Sequence, residues 1–335
     1  MPESAFYIRS AVLAPCLDLI KELGSSPDEV LRLAGFRPAQ LADPDCQIAH
    51  HDFLRVIETA AEITGCAHFG LLLGERNSLQ SLGLLGLLLR SAPSYRAAIQ
   101  EMIKHLGIHV KGITRELHCD NGVACLTTRF ENPDVAASII ATQMSVATNW
   151  KICQLLSHHL WHPSSINFIF DEPENSFFYR RFFNTPVNFN ADFNGVAFKE
   201  ADLDLPLREH DPMLHQEMQR QISKIEKSLS DSFVDDVKRF ISQNMDAGIC
   251  NIDAVVRFFP FQKRAFQQKL KREGVSYQDL VDEVRFQRAE FHLLKSNLTL
   301  SQLADVLCYR NVSVFSTAFK NKYGISPSAW KADNL

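Results

Sequence analysis

No two cysteines in this chain stand at C-x-x-C spacing. No H-E-x-x-H, G-x-S-x-G, P-loop or dinucleotide glycine fingerprint occurs in its 335 residues. These absences remove the usual footholds of metal, nucleophilic and nucleotide-dependent catalysis. His105 and His109 stand at i, i+4, as do His158 and His162, but neither pair has a third and fourth ligand to complete a metal site. No metal, cofactor or catalytic residue is therefore expected, and the chain reads as a non-enzyme. The most apolar run, LGLLGLLL at Leu82 to Leu89, holds eight residues and two glycines. A membrane span needs about 20 residues, so this run is expected to be a buried segment, with no membrane partner. The opening MPESAFYIRS has an early Glu3 and no apolar stretch, which argues against a secretory leader. The eight cysteines then read as reduced thiols of a cytoplasmic protein, Cys119 and Cys125 beside the hairpin turn included.

What is present is an ordinary globular composition, 46% hydrophobic and 22% charged, ample for a sizeable core. The length suggests about two or three domains. The net charge of −4 hides an asymmetry: residues 1–230 carry 20 Lys+Arg and 27 Asp+Glu, residues 231–335 carry 15 and 12. A basic tail on an acidic body points the tail toward a polyanion.

The first 210 residues read as an α+β domain with a mainly antiparallel sheet. HDFLRVIETAAEITG has Phe53, Ile57, Ala60 and Ala61 at helical spacing and Gly65 as its stop. Ile113 to Leu117 and Val123 to Phe130 are strand-like and flank Asp120-Asn121-Gly122, a hairpin turn. A long helix is expected from Pro133 through QLLS, then a strand at SSINFIFDEP and one or two more in VNFNADFNGVAFKEADL. FFYRRFF, with Arg180 and Arg181, reads as a helix packed on the sheet. Residues 211–232 are polar and helix-prone, a linker helix.

From Phe233 to the end the pattern is short helices with tight breaks. In TLSQLADVLCY, Leu300, Leu303, Ala304 and Leu307 form one apolar stripe, and Thr299 with Gln302 fits a capping box. Asn311 is an N-cap for VSVFSTAFKNKYG, which buries Phe315 and Phe319 and stops at Gly324. About fifty residues earlier the arrangement recurs. NIDAVVRFF is capped by Asn251, PF makes the turn, and QKRAFQQKLKREG buries Phe266 and Leu270 before Gly274. Between the copies SYQDLVDEVRFQRAEFHLLKS reads as an amphipathic helix with Leu280, Val284, Phe291 and Leu294 inward. Residues 233–335 are thus expected to be an all-α domain of two helix-turn-helix units joined by a long helix. Such units place a second helix in the major groove of DNA. The candidate contacts are Gln262, Lys263, Arg264, Gln267, Gln268 and Lys271 in the first unit. In the second they are Arg310, Asn311, Ser313, Ser316, Thr317 and Lys320, with Arg310 expected at phosphate.

REGVSYQDLVDEVRFQRA, LSQLADVL and SVFSTAFKNKYGISPSAW resemble the DNA-binding domain of the AraC/XylS family of bacterial transcription regulators. LGLLGLLLRSAPSYRAAI and FFYRRFFNTPVNFNADFNGVAFKEADLDLPL resemble the family's arabinose-binding-type sensor domain. The resemblance implies residues 1–210 as an effector-binding and dimerisation domain, for an unspecified small molecule, and a homodimer. It implies promoter double-stranded DNA and RNA polymerase as partners. Against the family pattern, Val256 replaces a small residue, Pro260 and Cys308 replace turn glycines, and Gln262 replaces a Ser. Thr317 replaces a basic residue that faces DNA. The rival reading is a ligand- or protein-binding regulatory module with a weakened DNA surface.

Overall fold

The computed structural model describes residues 6–41, 46–158, 161–228, 233–245, 248, 250–259, 261–296 and 298–334. Pro260 and residues 229–232 of the expected linker lie outside them. The chain divides into two compact units, one holding most of residues 6–228 and one holding the tail.

The first unit is α+β. It begins with β1 (Tyr7–Arg9), α1 (Leu13–Glu22), α2 (Pro27–Leu33), β2 (Gln47–Ala49), α3 (His50–Thr64), α4 (Phe69–Glu75), α5 (Leu84–Ser91) and α6 (Tyr95–His105). There follow β3 (Val110–Lys111), β4 (Ile113–Asp120), β5 (Val123–Phe130), α7 (Pro133–Ala137), α8 (Ile139–Leu156), β6 (Ser165–Asn167), α9 (Ser176–Phe183), β7 (Val187–Asn188), β8 (Asn194–Lys199) and α10 (Pro212–Ser228). A small sheet runs β2-β1-β3 and the main sheet β4-β5-β8-β6-β7. In the main sheet the short β6–β7 pair is parallel and the other pairs are antiparallel. The β4–β5 hairpin closes where expected: Asp120 pairs with Val123, and Asn121 and Gly122 both take positive φ, 50° and 78°. That is the double left-handed turn whose twist suits a two-residue loop.

The expected long helix from Pro133 is two helices. Ser138 stands in extended conformation and its hydroxyl accepts from the Ala141 N–H, so it recaps the chain after α7. α8 is then buried on several sides at once. Val146, Trp150 and Cys153 join the apolar core with Tyr95 of α6, Leu126 of β5 and Phe198 of β8. Two of its buried amides donate across the unit: Gln143 Nε2 to Ala67 O at 3.0 Å and Asn149 Nδ2 to Thr128 Oγ1 at 2.8 Å. α4 lies against α8 at glycine distance. A Cβ on Gly70 would stand 2.1 Å from Ile140 O, and one on Gly74 would stand 2.6 Å from Ala147 Cβ. α9 packs as expected, with Tyr179 and Phe183 inward and Arg180 hydrogen-bonded to Glu172 and Ser176.

α10 is seated on its own unit. Ile222 is fully buried, Gln219 Nε2 donates to Glu101 Oε1 at 2.7 Å, and Glu226 Oε1 lies 2.6 Å from His105 Nδ1. His105 Nε2 faces Glu101 at 3.0 Å. No single helix among the described residues is long and apolar enough to cross a membrane.

The second unit is all helix: α11 (Phe233–Asn244), α12 (Ile252–Val256), α13 (Lys263–Arg272), α14 (Tyr277–Lys295), α15 (Leu300–Val306), α16 (Val312–Tyr323) and α17 (Pro327–Asp333). The described part of residues 37–47 packs with it. Gln40 Nε2 donates to Asn244 Oδ1 at 2.7 Å and Arg37 Nη1 to Gly248 O at 3.1 Å. On α14 the expectation for Phe291 fails: its ring is 62% exposed, and Leu293 is buried in its place.

Candidate nucleic-acid interface

The first helix pair is built from an N-cap and an aromatic cluster. Asn251 Oδ1 accepts from the Ala254 N–H at 2.8 Å and starts α12. Phe259 and Phe266 each lie 5.1–5.3 Å from the Phe233 ring of α11. Phe266 and Leu270 face inward with almost no exposure, so helical geometry turns the opposite side of α13 outward. Arg264, Gln267, Gln268 and Lys271 stand exposed on that side or its flank, while Lys263, three residues before Phe266, is exposed at the helix start in line with the buried stripe. Gln262, exposed and extended, takes the N-cap position but its side chain caps nothing. Lys263 is partly committed within the unit, with Nζ 2.8 Å from Asp253. Lys269 is different in kind. Its ammonium sits 5.0 Å over the Phe233 ring and 5.7 Å from that of Phe261, a structural position. A groove of about 430 Å³, lined by Gln267, Lys271 and residues 274–277, runs between α13 and the start of α14.

The second pair repeats the plan. Thr299 and Gln302 cap each other reciprocally, and Leu303, Ala304 and Leu307 are buried on α15. Asn311 Oδ1 accepts from the Val314 N–H at 2.9 Å, so its side chain serves the start of α16. Phe315 and Phe319 are fully enclosed, with Trp330 of α17 5.9 Å from Phe319. Arg310, Ser313, Thr317 and Lys320 are exposed and Ser316 is half-buried. Gly274 and Gly324 end their helices with φ of 78° and 80°. Cys308, standing where a turn glycine was expected, takes φ of 56°, a conformation that suits glycine better. Its sulfur faces Cys250, and that neighbour together with burial pushes the Cys250 thiol up.

Sequence reasoning missed the residue that holds the second turn. Arg285 of α14 donates from Nε to Leu307 O at 2.9 Å and from Nη2 to Cys308 O at 2.8 Å, while its guanidinium lies 4.4 Å from the Tyr309 ring. These are the carbonyl of the α15 C-cap and that of the turn residue after it. Arg285 sits inside the stretch DEVRFQRA, but nothing local marks it off from its neighbours Arg288 and Glu283. Tyr323 donates to Glu290 at 2.6 Å, and burial with that carboxylate pushes its phenol up.

α14 thus carries one helix pair before it and one after it. Each pair has its core on one side and a polar second helix on the other. One family model, the arabinose-binding domain of AraC transcription regulators, N-terminal, matches residues 24–207. A second, a helix-turn-helix domain, matches residues 256–333. Among curated relatives, the ornithine utilization regulator of Pseudomonas aeruginosa is 25% identical over 317 residues, covering 94% of this chain and 93% of that protein. The regulator VirS of Mycobacterium tuberculosis is 22% identical over 336 residues, covering 98% of each. Among solved structures, the transcriptional regulator CdpR of Pseudomonas aeruginosa superposes with a TM-score of 0.45 at 17% identity, covering 91% of this chain and 96% of that one. With one model spanning more than half of the chain and the other running from the end of α12 into α17, the chain belongs to the AraC family of DNA-binding transcriptional regulators.

Proposed function

We propose that the protein regulates transcription in the cytoplasm as an effector-controlled homodimer. Residues 1–210 bind a small molecule and pair two copies, residues 211–232 link, and residues 233–335 bind promoter double-stranded DNA and recruit RNA polymerase. Gln262, Lys263, Arg264, Gln267, Gln268 and Lys271 meet one major groove; Arg310, Asn311, Ser313, Ser316, Thr317 and Lys320 meet the next. Asn311, whose oxygen caps α16, has only its amide N–H groups left for DNA. The observation that carries the reading is the pair α13 and α16. Both are second helices, both bury aromatic or leucine anchors at i, i+4, and both turn polar side chains outward from one scaffold. Effector binding acts by favouring one of two arrangements of the protein, which requires different affinity for the two.

Footprinting of the full chain on its own upstream region tests this. A protected stretch at low salt is expected; a folded protein that protects nothing overturns the DNA reading.

Two observations favour the rival module. Thr317 places a neutral side chain at the exposed centre of α16, and Lys263 is paired with Asp253. The salt dependence separates the two readings, because several phosphate contacts make affinity fall steeply with salt.

A further inference from the structure

β4 alternates faces, so Arg115 and Leu117 point under the sheet while Glu116 and His118 point away. Arg115 is 7% exposed. Among the described residues its guanidinium has no ion pair, and its Nε is enclosed without a hydrogen-bond partner. Burial holds it down to about 10, which still leaves it fully charged at neutral pH. A charge in this position needs a counter-charge, since protein interiors solvate ions poorly.

The neighbours do not provide one. The Cys153 thiol is near enough to interact with Arg115, but burial pushes it up to about 12, so it is neutral. The His109 ring is pushed down to about 3, by burial first and then by Arg9 and Arg115. It too is neutral. The Tyr95 hydroxyl faces the Cys153 thiol and hydrogen-bonds with it, while Asn149 Oδ1 and His109 Nδ1 are enclosed without a partner. Thr128, the register partner of Arg115, already receives the Asn149 amide. The interior thus offers one fixed positive charge, a ring able to donate and one acceptor. Buried polar atoms of native proteins are almost always satisfied, so a cluster of orphans marks a place where something else binds. Tyr95 also walls a surface cleft of about 230 Å³, with Leu156, Ser157, His158 and residues 205–208. The same residue therefore borders both the interior cluster and an opening.

We propose that this interior of the first unit binds the carboxylate of a small organic acid, with Arg115 as its counter-charge. A guanidinium presents a planar fork that matches a carboxylate. A single negative charge balances a single arginine, whereas a phosphate dianion leaves an excess. Asn149 Oδ1 accepts a hydrogen bond, so the acid also carries a donor, a hydroxyl or ammonium beside the carboxylate. The inference names the effector class of the sensor reading above, and it rests on that reading only for the link to DNA.

The test is calorimetry and thermal unfolding of the full chain with lactate, glycine, acetate and inorganic phosphate, and with acetamide and arabinose as uncharged counterparts. Lactate or glycine is expected to raise the melting temperature saturably, acetate less, and the others not at all. Arg115→Met is expected to weaken the acid by roughly a hundredfold. The same change is expected to raise the melting temperature of the ligand-free protein, because an unpaired buried charge is removed. Arg115→Lys, which keeps the charge and loses the fork, is expected to bind more weakly than the parent. The proposal is overturned if no acid shifts the parent, if phosphate or arabinose binds best, or if Arg115→Met binds the acid as well as the parent does. DNA affinity measured in the same samples keeps the readings apart. An acid that binds through Arg115 without changing DNA affinity supports the site and removes effector control.

Discussion

Gln40 and Asn244 share a hydrogen bond of 2.7 Å across 204 positions of sequence, and both side chains are closed to solvent. Asn244 also donates to Phe240 O within α11 at 3.0 Å, so its amide is held in one orientation. Gln40→Ala leaves the Asn244 oxygen buried without its donor. The expected loss is about 1–3 kcal/mol of stability in the tail unit. Denaturant unfolding checks it, and the double replacement Gln40→Leu with Asn244→Leu should cost less than the sum of the singles.

Thr317 is the exposed, neutral centre of α16, with Phe315 and Phe319 anchoring the opposite face. Thr317→Arg adds a charge on the outward face without touching the core. DNA binding is expected to tighten, and the slope of log affinity against log salt to steepen by about one unit. Titration at several salt concentrations reads both. An unchanged slope would mean that α16 does not dock on DNA.

Two buried histidines set an acid limit on the first unit. Burial holds His50 down to about 4, against a backbone hydrogen bond with Tyr7 that raises it, and holds His109 down to about 3. Both rings are neutral when folded, whereas an unfolded histidine titrates near 6.5. As pH falls below about 6.5 the unfolded chain takes up protons that the native state refuses, so stability is lost down to pH 4 and below. Each ring contributes a loss of about 2 kcal/mol between pH 7 and pH 5. Melting temperature against pH measures it. His109→Phe should flatten the profile whatever it does to the midpoint at pH 7.

The α4–α8 contact tolerates no side chain at Gly74. A Cβ there would stand 2.6 Å from both Ala147 Cβ and Met144 O. Gly74→Ala is expected to destabilise by about 1–3 kcal/mol through overpacking, although alanine is the better helix former. Pairing it with a glycine at Ala147 should not restore the parent, because Met144 O is backbone and stays where it is.

Local chemistry made much of the tail legible. The Thr299–Gln302 capping box, the Asn251 and Asn311 caps and the Phe315/Phe319 spacing depend on neighbours within one helical turn. Phe291 was misplaced because α14 is buried along more than one stripe: it packs on α11 and α17 alike, so a single amphipathic face does not describe it. The Ser138 break was missed because the apolar character continues through it, and only the cap geometry shows the stop. Arg115 and the pairing of Gln40 with Asn244 are tertiary facts. Alternation along β4 says that Arg115 and Glu116 face opposite ways. It does not say which of them is inside.

α14 is one unbroken helix of 19 residues, fixed at its start by the Ser276–Asp279 capping box. At 1.5 Å per residue it is about 28 Å long. It therefore acts as a ruler and as a phase setter between the two helix pairs. One residue inserted into it would advance everything beyond by about 1.5 Å and turn it by about 100°, pointing α16 off the face that α13 uses. Four residues would nearly restore the phase while lengthening the span by about 6 Å. On the proposed DNA reading, the separation of the two recognised half-sequences is written in the length of α14, and it can change only in near-whole turns.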